Sequence, residues 1–171
     1  MPGAAAIRTF KGIPLIPDEL VNKAYVDARN NTFARVVKKL NQTLNNSTTF
    51  QDDDELSVML TALKRYGYLI GLFYDSNAVA DFKYRLTIAG FTEADKLSGA
   101  WSSTSSSPVV VQNASTTLIG DDNTRVVMIS GRIRVGASDS PLTLEWAQNV
   151  SNALVTTVFS GSYMIVWEEL P

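Results

Sequence analysis

One stretch of this chain needs cover on two sides. In an extended strand over residues 66–74, Tyr66, Tyr68, Ile70, Leu72 and Tyr74 share one face, while Leu69 and Phe73 share the other with Gly67 and Gly71. Residues 163–167 repeat the pattern, with Tyr163, Ile165 and Trp167 on one side and Met164 and Val166 on the other. Antiparallel strands commonly keep one face wet, so strands that are apolar on both faces must be covered twice. A single two-sheet domain of this length covers each sheet once. The second cover is expected from a sister subunit or from a small internal offset closed by long loops.

The rest of the chain beyond residue 36 alternates with period two, and Gly, Asn, Asp, Ser and Pro interrupt it about every ten residues. Phe82, Tyr84, Leu86 and Ile88 face opposite to Lys83, Arg85 and Thr87, and Leu142, Leu144 and Trp146 face opposite to Thr143, Glu145 and Ala147. Strands are expected over residues 36–44, 56–60, 66–74, 82–88, 108–112, 124–135, 142–146 and 162–167. About eight antiparallel strands with no helix between them is the count of a two-sheet jelly roll. An up-and-down barrel or an immunoglobulin-like sandwich satisfies the same count. The run from Ser102 to Ser107 is expected as an exposed loop, and Asp52, Asp53, Asp54 and Glu55 as a solvated turn before the second strand rather than a cation site.

Residues 1–31 read differently. Pro14 and Pro17 hold Ile13, Leu15 and Ile16 in an extended apolar strip that forbids helix. Beyond Asp18 and Glu19, Leu20, Val21, Ala24, Tyr25 and Ala28 recur at one-face spacing until Asn30, so a short helix over about residues 18–29 is expected. Such a helix is marginal alone and must pack on something. Residues 1–50 carry seven basic and three acidic side chains, net +4, and the remainder is −6. The division is therefore an N-terminal arm, 1–31, and an all-β domain, 32–171. A basic, apolar arm suits docking on an acidic protein surface.

Several classes of function fall away. The chain has no histidine and no cysteine, which removes the usual zinc ligands, thiolate nucleophiles and the commonest neutral base. The net charge of −2 supplies no field for nucleic acid. Gly131 and Gly136 have phosphate-loop spacing, but Ala137 and Ser138 stand where Lys and Ser/Thr belong. No basic, apolar leader and no apolar run of membrane-spanning length is read, so the expectation is a soluble chain folded in a cytoplasm. Neither an enzyme, a metal nor a cofactor is expected.

VNKAYVDA, residues 21–28, resembles a short element near the beginnings of stalks and fibre modules in tailed-bacteriophage virion proteins. The body resembles a phage structural module in VVKKLNQTLNNSTTFQDDDELSVML (36–60), RYGYLIGLFYDS (65–76), ADFKYRLT (80–87) and LTLEWAQNVSNALVTTVFSGSYMIVWEE (142–169). The resemblance implies a virion component with a trimeric, tumour-necrosis-factor-like jelly roll: an antiparallel eight-stranded sandwich preceded by an extended arm and one short helix. Tyr66, Tyr68, Phe73, Tyr74, Tyr163, Ile165 and Trp167 are the expected trimer contacts. The short arm, with no long stalk, favours a capsid decoration (cement) protein on the outer surface of the phage particle, made in the host bacterial cytoplasm. Its partner is then the major capsid protein, gripped by Ile7, Arg8, Phe10, Lys11, Ile13, Leu15, Ile16, Leu20, Lys23 and Tyr25. The alternative is a head- or tail-fibre module whose far loops bind a host-surface receptor or glycan.

Overall fold

The computed structural model describes residues 33–88, 96–102, 109–111 and 116–169. The expected arm and its short helix over 18–29 lie outside the described residues, and among these no helix occurs. The described chain is all-β and antiparallel. Twelve segments are paired: β1 (Phe33–Val37), β2 (Gln42–Leu44), β3 (Gln51–Leu60), β4 (Arg65–Asp75), β5 (Phe82–Ile88), β6 (Lys96–Ser102), β7 (Val109–Val111), β8 (Thr116–Leu118), β9 (Arg125–Arg134), β10 (Ser140–Gln148), β11 (Thr156–Val158) and β12 (Tyr163–Glu169).

Two sheets result. Sheet A runs β1-β12-β4-β9-β6-β7, with β11 beside β4 and β2 beside β11; sheet B runs β3-β10-β5-β8. β1 and β2 are two parts of one edge lane, and β12 and β11 are two parts of the next. Both lanes break at the same level, where Lys38 N–H donates to Ser162 O at 2.7 Å, Gly161 N–H to Lys38 O at 2.8 Å and Ser160 N–H to Asn41 Oδ1 at 2.8 Å.

The facing sides of the sheets share one apolar core. Sheet A contributes Tyr66, Tyr68, Ile70, Leu72 and Tyr74 from β4, Val127 and Ile129 from β9, and Met164 and Val166 from β12; sheet B contributes Leu56, Val58 and Leu60, Leu142, Leu144 and Trp146, and Phe82 and Tyr84. Phe82 is the hub. Its ring stacks on Tyr74 at 4.5 Å between centroids, on Trp146 at 5.9 Å and on Tyr84 at 6.4 Å. Stacked aromatics of this kind add to the area they bury.

Two sequence expectations need correction here. The expected strand over residues 36–44 is interrupted at 38–41. The acidic run is not a turn ahead of a strand but a bulge inside β3: between the pairs Thr143↔Ser57 and Glu145↔Asp52, β10 spends one residue and β3 spends four, 53–56. The bulge shifts the inward parity by one. Asp53 therefore points inward, where its Oδ1 accepts from Lys38 Nζ at 2.9 Å, Leu56 N–H at 3.0 Å and Glu55 N–H at 3.1 Å. Glu55 Oε2 turns back and accepts from Lys39 N–H at 2.8 Å and Leu40 N–H at 3.0 Å, closing the break. Its carboxyl is held below its ordinary value, chiefly by the Leu40 N–H. Two residues unfavourable to strands thus persist in one because the Asp53 carboxylate takes up Lys38 and the bulge N–H groups, and the Glu55 carboxylate the N–H groups that the break leaves unpaired.

Burial pushes the Tyr84 phenol up to about 12. In the unfolded chain that group ionises near 10, so the folded state is favoured fully below pH 10 and loses this advantage as pH rises toward 12. The expected result is alkaline unfolding in which Tyr84→Phe retains more stability than wild type above pH 10, by about 2–3 kcal/mol at the upper end. Denaturant melts at pH 8 and pH 11.5 measure it.

Candidate interaction surface

The outward sides of the two sheets differ in chemistry. Sheet B presents Ser57, Thr143, Lys83, Arg85 and Glu145 to solvent. Ser57 and Thr143 hydroxyls pair at 2.9 Å, Arg85 pairs with Glu145, and the Lys83 and Arg85 cations lie 4.8 and 4.3 Å from the Phe50 ring centroid. Met59, 67% exposed opposite Pro141, is an apolar exception on a face otherwise content in water.

Sheet A presents an apolar field. Register places Phe33, Trp167 and Gly67 in one cross-strand row, with Arg132 next in line; Arg35, Ile165, Leu69 and Ser130 form the second row, and Val37, Tyr163, Gly71 and Met128 the third. Phe73 and Val126 follow as a further outward pair. Phe33 is 60% exposed, Val37 38%, and Leu69, Phe73, Met128, Tyr163, Ile165 and Trp167 are half-buried.

The two glycines explain how the aromatics lie. A Cβ on Gly67 would overlap the Trp167 indole, and a Cβ on Gly71 would overlap the Tyr163 ring. Both rings therefore lie flat across the β4 backbone, each over a glycine that leaves room for it. The result is a level apolar surface rather than a ridge. Tyr163 Oη approaches Met128 Sδ at 3.9 Å, tying the third row together.

Of the seven expected contact residues, Phe73, Tyr163, Ile165 and Trp167 lie on this outward face. Tyr66, Tyr68 and Tyr74 do not: they point into the core, 6%, 1% and 0% exposed within a single chain. They are corrected from contact to core residues, because buried rings have no surface left to give a partner. Leu69, which alternation already sets beside Phe73, belongs to the surface too, and so do Phe33, Val37 and Met128, which the sequence reading does not single out. The signal for them is the spacing of Gly67 and Gly71, which matches that of Tyr163 and Trp167 on the neighbouring strand. The arm residues Ile7, Arg8, Phe10, Lys11, Ile13, Leu15, Ile16, Leu20, Lys23 and Tyr25 lie outside the described residues.

No protein-family model matches this chain, and no curated protein matches it either. The class defined by fold and surface is an antiparallel all-β protein of two sheets with one polar and one apolar outer face.

Proposed function

We propose that this chain is a structural component of a tailed-bacteriophage virion, a capsid decoration (cement) protein. Its body is read as an eight-stranded jelly roll. The strands β3 to β10 divide between the sheets in the orders β3-β10-β5-β8 and β4-β9-β6-β7, the arrangement two interleaved Greek keys produce. β1 with β2, and β11 with β12, then extend the second sheet beyond β4.

The observation that carries the reading is the apolar outward face of sheet A. Three copies meeting through that face form a homotrimeric knob, and the polar face of sheet B is left to solvent. A knob that binds several coat subunits at once recognises only the assembled shell and stabilises it by mass action. Three arms on one trimer add avidity, so residues 1–31 hold the major capsid protein through individually weak contacts. Ile13, Leu15 and Ile16 supply apolar anchors; Arg8, Lys11 and Lys23 steer the arm to acidic coat surface.

Deleting residues 2–17 is expected to leave a folded trimer by light scattering that no longer co-sediments with phage heads. Retained head binding by that variant removes the arm's role.

A further inference from the structure

At the end of sheet A where β4 begins and β9 and β12 finish, a cleft of about 490 Å³ opens, lined by Leu63, Lys64, Arg65, Arg134, Glu168 and Glu169. Its charges do not cancel. Lys64 Nζ pairs with Glu168 at 2.7 Å, and Glu169 pairs with Arg132 Nε at 2.9 Å. Arg65 and Arg134 remain, directly opposite each other in the β4–β9 register. Among the described residues neither is ion-paired; Glu169 stands opposite Arg65 in the β12–β4 register but is held by Arg132. Like charges facing each other across a strand pair weaken it. An oxyanion placed between them turns that repulsion into charge-assisted, bidentate hydrogen bonds.

The other groups narrow the ligand. The volume falls within the range of roughly 300–1,000 Å³ that small-molecule sites occupy and exceeds what a bare inorganic anion fills. Glu168 and Glu169 each use one cation and keep lone pairs for further donors, and Lys64 keeps N–H groups for acceptors. Hydroxyl groups satisfy both. The rim is the turn between β3 and β4, where Leu63 is 72% exposed and held at φ 62°, a left-handed conformation rare for a branched aliphatic residue. Its N–H is pinned to Gly136 O at 2.9 Å.

We propose that this cleft binds an acidic sugar unit, with the carboxylate on Arg65 and Arg134 and ring hydroxyls on Lys64, Glu168 and Glu169. The inference rests on the cleft's own charges and not on the virion reading, and its test involves neither heads nor oligomeric state. Saturation-transfer NMR on the full chain compares glucuronate and glucose at constant ionic strength, and inorganic phosphate, which has no carbon-bound protons, is read by its displacement of the glucuronate signal. Saturable millimolar binding of glucuronate, at least tenfold tighter than glucose, is expected. R65Q/R134Q, two exposed positions, is expected to keep the circular dichroism of the parent and lose at least tenfold in glucuronate affinity. R65K/R134K keeps the charge but not the planar fork, and an intermediate loss is expected. Absence of saturable glucuronate binding, or binding unchanged in R65Q/R134Q, overturns the site. Phosphate binding as tightly as glucuronate overturns the sugar assignment.

Discussion

Replacing Lys38 with methionine is expected to cost about 3–5 kcal/mol of folding stability, the range for breaking a buried ion pair from one side. The Lys38 and Asp53 side chains are 1% and 0% exposed, with Nζ 2.9 Å from Oδ1. Methionine keeps most of the stem's volume, so little of the loss comes from packing. What is left is a carboxylate sealed from water, with Oδ2 already lacking a partner before the change. The companion variant separates charge from hydrogen bonding. In K38M/D53N the amide oxygen still accepts from the Glu55 and Leu56 N–H groups, while no uncompensated charge remains. That double variant is expected to recover more than half of the loss, because a neutral buried amide costs far less than a buried ion. Urea midpoints of the three proteins decide the matter. A K38M loss below about 1 kcal/mol, or no recovery in the double variant, means that the pair is not what holds the β1–β2 break to β3.

How far the sequence discloses this structure depends on whether each strand has one wet face. β5 was legible because Lys83, Arg85 and Thr87 alternate with apolar residues, and β10 for the same reason. β4 was legible as a strand but not in its orientation. With apolar residues on both faces, alternation alone does not say which set turns inward; the resemblance implies a subunit contact for Tyr66, Tyr68 and Tyr74, and they lie instead in the core. The glycines decide that question, since Gly67 and Gly71 mark the side on which neighbouring rings lie across the backbone. The ion pair at Lys38 was illegible for a different reason. It depends on a bulge that moves Asp53 inward by one step of parity, and a run of four acids carries no alternation from which to read the step. β8 and β11 are three residues each, too short for a period to show. β6 joins Lys96, two serines and Gly99 in seven residues, a composition closer to loop than to strand.

The outer face of sheet A yields the test with the largest consequence for assembly. In the double variant Tyr163→Ser/Trp167→Ser, the two flat rings are removed from their glycine platforms while the inward partners Met164 and Val166 stay in place. Central aromatic residues at protein contacts commonly cost about 2 kcal/mol or more each when truncated. Losing two per contact therefore weakens each subunit contact by about 4 kcal/mol, close to a thousandfold. The expected result is a monomer at micromolar concentration, by sedimentation velocity, where the parent is expected to sediment as a trimer. Because the rings lie outside the core, circular dichroism should retain the all-β signal. Ile165→Lys provides a second route, placing a cation in the central row beside Leu69 and Arg35. Thr143→Lys on the outward face of sheet B is the control, and there the trimer should persist, since that face already carries Lys83, Arg85 and Glu145. A parent protein that sediments as a monomer at these concentrations removes the self-association reading. A trimer that survives both sheet A variants moves the contact to another face.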